Sequence, residues 1–270
     1  MSPIARHWII AAHLGLALFL SGCSKSPDKK SQDAFASNKA KAELGDALAQ
    51  NELGISYLEG LGVDKNEKEA VRWFMAAAEQ GNTRAQRRLA NCYYTGAGIT
   101  KDEIEAIKWY GKAAQQGDAV SQFNLGFAYY SGTGNLQKDI NESLRWYRKA
   151  AEQGDPAAQH NIGTCYADGE GVPVNLPLAV KWWQLAANQG DHLSLLELGK
   201  RYVSGEGLPK DQIEAYAHLN LAGIGEEEAR KELLELEKTM THESILRGQQ
   251  RTKELQKEIE AKVAAKQAAK

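Results

Sequence analysis

The chain is poor in the residues that usually announce chemistry. Its 270 residues hold three cysteines, Cys23, Cys92 and Cys165, and six histidines. His160, His192, His218 and His242 show no i, i+4 pairing and no His-Glu-x-x-His, so no metal site is expected. No Gly-x-Ser-x-Gly elbow is present, and no nucleophile, base and stabiliser come together in the sequence. Neither a catalytic residue nor a cofactor is expected. The formal net charge is only −2, whereas a nucleic-acid binder needs a clustered basic surface. The apolar run from Trp8 to Leu20 is too short to span a membrane convincingly. A composition of 43% hydrophobic and 25% charged residues is that of an ordinary folded chain.

What the chain has is repetition. The stretch from Asp118 to Gly154 finds itself five times. Gln-Gly closes a unit at Gly81, Gly117, Gly154 and Gly190, and Ile224-Gly225 closes a fifth, at intervals of 36, 37, 36 and 35 residues. A fixed period of this length marks a stacked-repeat architecture.

Each unit reads as two helices. Asp46, Asn82, Asp118, Asp155 and Asp191 follow the closing glycines, with side chains that can accept from a free N–H at a helix start. Helix A follows and ends in a Gly-x-Gly turn, from Gly60/Gly62 to Gly205/Gly207. Asn66, Asp102, Asp139, Asn175 and Asp211 then cap helix B, and the closing glycine suits the left-handed position after its end. The 37-residue unit carries its extra residue in the turn Gly134-Asn135-Leu136-Gln137. These glycine turns lack the spacing of a phosphate loop.

Packing positions recur as well. Leu53, Leu89, Leu125, Ile162 and Leu198 each precede Gly or Ala, and Tyr57, Tyr93, Tyr129, Tyr166 and Tyr202 lie three residues beyond that small residue. This spacing puts them on one helical face. In helix B, Trp73, Trp109, Trp146 and Trp182 recur, with Ala77, Ala113, Ala150 and Ala186 one turn later. The expectation is that large residues meet small ones and the helices interdigitate.

The unit A-x-x-x-L-G-x-x-Y-x-x-G-x-G followed by A-x-x-W-Y-x-x-A-A-x-Q-G resembles the Sel-one-like repeat family, a relative of tetratricopeptide repeats. Here it stands as Ser121, Leu125-Gly126, Tyr129, Gly132, Gly134, then Ser143, Trp146-Tyr147, Ala150-Ala151 and Gln153-Gly154. The resemblance covers residues from about 45 to 225. It implies an all-α fold: a right-handed α/α solenoid of about five helix-pair repeats that serves as a protein-interaction scaffold. His218-Leu219 replaces the Trp-aromatic pair in the fifth unit, an end effect common in such arrays.

The first 22 residues read as a leader. Arg6 and His7 precede the apolar run, which ends in Leu20-Ser21-Gly22-Cys23, a pattern that fits a signal peptide. The quartet resembles the bacterial lipobox, whose cysteine is lipidated and becomes the first mature residue. By that resemblance Cys23 carries the lipid as three acyl chains, and two already give stable anchoring. Ser24 follows it rather than the Asp of an inner-membrane retention signal, so the outer membrane, facing the periplasm, is the expected address. Residues 23–33 are expected to form a flexible tether, reaching roughly 15–20 Å over about ten residues. Ala34 to Leu44 reads as a degenerate helix B covering the first unit.

Residues 226–270 are expected to cap the other end. Thr241 reads as an N-cap, and Glu243 to about Gln267 as one long helix with Ile245, Leu255, Ile259 and Val263 on one side. A cap over the last unit and a dimerising coiled-coil arm are the two readings; the stripe is too sparse for a sustained heptad. Cys92 and Cys165 occupy the same slot in units two and four, where Ser56 and Ala128 also stand. They are expected to be small buried residues, too far apart for a disulfide. This separates the chain from cysteine-rich members of the family and their reported β-lactam-binding activity.

In a helix-pair array of this kind, helix A lines the inner face. A stripe beside the packing residues holds Arg84, Arg87, Asn91 and Tyr94 in unit two, and Val120, Phe123, Phe127 and Tyr130 in unit three. Unit four contributes Ala157, His160 and Thr164, and unit five Leu193, Leu196, Lys200 and Val203. Aromatic residues and arginine dominate interface energetics, so this stripe is the candidate partner-binding groove. The alternative is that Phe123 and Phe127 pack against the following unit. By resemblance, some family lipoproteins are immunity partners of phospholipase effectors delivered by type VI secretion. Other roles open to the family are an envelope-assembly or signalling scaffold and a host-facing adhesin. A cell-wall-acting enzyme is the competing class.

Overall fold

The computed structural model describes residues 29–268. The leader, Cys23 and most of the expected tether lie outside the described residues. Among those residues all regular structure is helical, and the chain divides into two compact units that meet between Asp139 and Ile140 in sequence.

The first unit contains α1 (Lys29–Glu43), α2 (Ala47–Glu59), α3 (Glu67–Glu79), α4 (Thr83–Thr95), α5 (Glu103–Gln115) and α6 (Ala119–Ser131). Each helix packs on the next in order. The second contains α7 (Ile140–Glu152), α8 (Pro156–Asp168), α9 (Leu176–Ala187), α10 (His192–Ser204), α11 (Gln212–Ala222), α12 (Glu227–Glu237) and α13 (His242–Ala268). Its helices also pack in order until α11, which carries both α12 and α13.

Nine of the ten expected repeat caps are where the sequence put them. Asp46, Asn82, Asp118, Asp155 and Asp191 each accept from the backbone N–H three residues on, at 2.8–2.9 Å. Asn66, Asp102, Asn175 and Asp211 do the same for the second helix of their pairs. The recurring tyrosine has a use the sequence did not show. Its backbone carbonyl accepts from the N–H of the second cap, as in Tyr93 to Asp102 at 2.8 Å and Tyr166 to Asn175 at 2.8 Å. That bond folds the glycine turn back on the first helix. The longer turn absorbs its extra residue at Asn135, which adopts a left-handed backbone (φ 67°) that Asn tolerates better than most residues.

The large-to-small packing is real, but its phase differs by one residue from the sequence expectation. Phe74, Tyr110, Tyr147 and Trp183 are buried, whereas Trp73, Trp109 and Trp182 are only half-buried; Trp146 alone of the recurring tryptophans is buried, beside Tyr147. A residue advances about 100° around a helix, so the neighbour of each Trp faces the paired helix. The small residue of Leu-Gly makes this contact possible. A Cβ on Gly54 would lie 2.5 Å from the Phe74 ring, one on Gly163 2.6 Å from Trp183 Nε1, and one on Gly199 2.7 Å from Leu219. Burying each ring stabilises the pair by roughly 1.5–3 kcal/mol.

Helix α1 begins at Lys29, inside the stretch expected to be a tether. Phe35 holds it in place, meeting Tyr57 edge to face with centroids 5.4 Å apart. At the other end, α13 is a cap. Leu255 and Ile259 are buried with the α10 and α11 core, and Ile245 and Val263 pack against it. Gly248 lets α13 approach closely, since a Cβ there would sit 2.5 Å from the Tyr216 ring. The apolar stripe is therefore spent on the chain's own last repeat rather than on a coiled coil. Further along α13, Lys262 Nζ donates to Asn188 Oδ1 at 2.8 Å, and Lys266 Nζ donates to the Gly154 carbonyl at 2.9 Å and to Gln189 Oε1. Both lysines sit at the C-terminal ends of other helices, where the backbone dipole favours a cation.

Cys92 and Cys165 are free and buried. Burial, with nearby carboxylates adding to it, pushes their thiols up to about 11 and about 12, which keeps them unreactive.

Candidate functional site

The scaffold consumes one set of positions before any surface is left for binding. Gln50, Gln86, Gln122 and Gln159 stand at the same place in the first helix of four repeats, and each donates its side-chain amide to the last turn of the preceding helix, at Ala42, Ala78, Ala114 and Ala151. Gln80, Gln116 and Gln189, from the closing Gln-Gly pairs, donate in turn to Gln50, Gln86 and Gln159 at 2.7–2.8 Å. The ladder binds neighbouring repeats, and the fifth repeat has Leu195 in its place.

The residue after each ladder glutamine lies in the same seam. Arg87 Nε approaches Asp118 Oδ2 at 3.5 Å. His160 Nδ1 is 3.0 Å from Ser194 Oγ and 3.6 Å from Asp191 Oδ2. Phe123 is 9% exposed, His160 8% and Leu196 4%. Four members of the predicted stripe thus belong to repeat-to-repeat contacts or to the interior. The His160, Ser194 and Asp191 grouping has the residue types of a hydrolytic triad but not its geometry. Serine and carboxylate face the same ring nitrogen, whereas a triad needs them on opposite nitrogens. Ser194 is also fully buried.

The rest of the stripe divides further. In the first unit, Asn91 accepts from the Tyr110 hydroxyl at 2.5 Å. The Tyr94 ring is half-buried with Lys101 Nζ 5.6 Å from its centroid. Burial and then Glu103 hold the Tyr94 phenol above its ordinary value. Tyr130 is buried, with Lys138 Nζ 4.7 Å above its ring. Val120 and Phe127 are half-buried, and Arg84 is exposed. In the second unit, Lys200 bonds Glu228 of α12 at 2.7 Å and Glu197 at 3.4 Å. Burial works against its ammonium, but these carboxylates outweigh it and hold its pKa above the ordinary value.

Sequence reading did not single out Arg88. It is half-buried, with its guanidinium 5.9 Å from the Phe74 ring. Burial first, then the Arg87 charge, pulls its pKa down. The three arginines of α4 lie at 84, 87 and 88, and that spacing is the signal that would have found it.

Among the described residues no group of His, Cys, Asp and Glu side chains is placed to hold a metal ion, and no helix is long and apolar enough to cross a membrane. The outward positions of the first helices can offer a surface instead. They are Leu48, Arg84, Val120, Ala157 and Leu193, a different residue in nearly every repeat.

The Sel1 repeat family model matches residues 47–82, 83–118, 119–155, 156–191 and 192–223. A Sel1 repeat protein from Oxalobacter formigenes, known from its crystal structure, is 37% identical over 76% of this chain and 82% of its own, with a TM-score of 0.71. An SLR-fold protective antigen of uropathogenic Escherichia coli is 22% identical, covering 89% of this chain and 70% of its own, with a TM-score of 0.43. An immunity protein from Pseudomonas aeruginosa is 21% identical, covering 73% and 67%, with a TM-score of 0.41. No curated protein matches the chain.

Proposed function

Since the chain belongs to the Sel1 repeat family, we propose that it is a protein-binding scaffold held at a bacterial membrane by a lipid on Cys23, and that its partner is an enzyme it keeps silent. One observation carries the binding reading. The positions that join repeats keep the same residue types along the chain, as in the Gln50, Gln86, Gln122 and Gln159 ladder. The outward positions of the same helices instead vary from leucine to arginine to valine. A uniform frame with a varied face suits recognition of one partner.

The lipid anchor rests on the leader and the Leu20-Ser21-Gly22-Cys23 quartet. An envelope address would place the scaffold where an incoming enzyme could be intercepted, and the immunity reading adds that such an enzyme is a delivered phospholipase. The test is capture from membranes of cells carrying the tagged chain, with bound proteins identified by mass. One stoichiometric enzyme that loses turnover when bound supports the immunity reading. Several envelope proteins at low occupancy would replace it with a general assembly scaffold, and the absence of any bound protein would remove both. Replacing Cys23 with Ser should release the chain from the membrane fraction; retention there would refute the lipid anchor.

A further inference from the structure

We infer that the exposed side of α4 receives a short acidic segment of the partner protein, bound through Arg84, with the half-buried Arg87 and Arg88 beside it adding positive charge. This rests on the binding-scaffold reading and names the chemistry of the partner. Helix α4 has three arginines and no acidic residue, and their i, i+3, i+4 spacing sets them on one face. Arg84 is exposed and, among the described residues, makes no hydrogen bond or ion pair. Arg87 reaches only one carboxylate, at 3.5 Å, which is long for a charged hydrogen bond. The Nε atoms of Arg87 and Arg88 are shielded from water, so these two guanidiniums act on a ligand through their charge rather than through those donors. Like charges are crowded, and the exposed Arg84 keeps its guanidinium donors open to a ligand. A carboxylate answers both at once, because its two oxygens match the guanidinium fork.

The surroundings set the size and class of the ligand. Glu52 and Glu59 on α2 are close enough to act on the Arg88 charge, and Asp118 bounds the patch on the α6 side. A polyanion such as nucleic acid or an anionic bilayer would extend beyond the three arginines and meet these carboxylates. A peptide with two or three carboxylates would not. Helix α6 has no charged residue, and Val120, just after Asp118, is half-buried. An apolar side chain beside the carboxylates would find its contact there.

The test uses the full chain and a labelled peptide of about nine residues with three glutamates between leucines, read by fluorescence anisotropy. The control peptide has glutamine at the three glutamate positions. The glutamate peptide should bind roughly ten-fold more tightly, and the preference should shrink as salt rises. Arg84→Glu should erase the preference with an unchanged melting temperature, because this side chain is exposed. Arg84→Lys should retain part of it, because lysine keeps the charge but not the fork. Equal affinity for the two peptides, or an Arg84→Glu variant that binds like wild type, would overturn the inference. So would an oligonucleotide or phosphatidylglycerol vesicles that bound wild type as tightly as the peptide and were lost with Arg84→Glu. A captured partner that Arg84→Glu still holds would refute the α4 site and leave the scaffold reading standing.

Discussion

The side-chain amide of Gln116 donates to Gln86 Oε1 at 2.8 Å, thirty residues earlier in the chain. Gln86 in turn donates to the Ala78 carbonyl at 3.2 Å, and Thr83 donates to Gln116 Oε1 at 2.7 Å. One polar chain thus ties the end of α3, the start of α4 and the end of α5. Gln86 is 4% exposed, so water does not replace what is removed. Gln86→Leu fills the space but leaves Gln116 and Ala78 short of a partner, and it should cost about 1–2 kcal/mol. Gln86→Glu should cost more at neutral pH, because its carboxylate faces a carbonyl it cannot donate to. Urea unfolding would check both; midpoints at the wild-type value would show that the ladder is decoration.

Two glycines inside helices should respond to alanine with opposite signs. A methyl on Gly163 would lie 2.6 Å from Trp183 Nε1, and Trp183 is fully buried with little room to move. Gly163→Ala should destabilise by about 1–3 kcal/mol through overpacking. Gly111 lies within α5, and a Cβ there meets nothing within 4 Å. Gly111→Ala should therefore stabilise, by about 0.5–1 kcal/mol. Thermal melts of the two variants against wild type decide it, and shifts of the same sign would contradict the packing described here.

The local parts of this fold were open to reading from sequence. Asp118 caps α6 through a bond to Ser121 N, three residues away, and the glycine turns are equally short-range. Contacts across repeats were harder to see. Gln50, Gln86, Gln122 and Gln159 recur at the repeat period in plain view. Their meaning lies in bonds to the helix before and the helix after, and no local rule pairs residues thirty apart. The Trp phase was missed for a related reason. Trp182 and Trp183 are both large and apolar, and only the rotation of α9 about its axis decides which one meets Gly163. The candidate stripe had the same weakness. Arg87 and His160 fall in it by spacing, but the caps Asp118 and Asp191 of the next repeats draw them into the seam.

The end of α13 should depend on one lysine. Lys266 Nζ donates to the Gly154 carbonyl at 2.9 Å and to Gln189 Oε1, joining residues 112 apart in sequence. Lys266→Met keeps the apolar stem and removes the donors, so it should cost about 1 kcal/mol and raise amide exchange in the last two turns of α13. Lys231→Met is the control, because the Lys231 and Glu227 side chains are 71% and 75% exposed. Exposed pairs of this kind contribute little to stability. Exchange rates unchanged by Lys266→Met would mean that the apolar contacts alone hold the helix down.

His218 should make the last repeat sensitive to mild acid. Its ring stands where earlier repeats carry Trp and is 7% exposed, with the Tyr202 ring centroid 5.1 Å away. Nδ1 donates to the Glu214 carbonyl oxygen at 2.8 Å and lies 3.5 Å from the Glu214 carboxylate. Arg251, bonded to both Glu214 and Glu258, faces it from α13. Burial dominates these influences and holds the imidazole below its ordinary value of 6.5, although the two carboxylates pull the other way. The unfolded chain therefore takes up this proton first as pH falls. The stability tied to neutral His218 is fully present above pH 6.5 and declines below it, by up to about 1.4 kcal/mol per pH unit, until the folded state also protonates. Urea midpoints at pH 7.5 and 5.5 should fall for wild type and fall less for His218→Gln, which cannot titrate. An equal drop in both proteins would assign the acid sensitivity to other groups and leave His218 a neutral filler of the tryptophan slot.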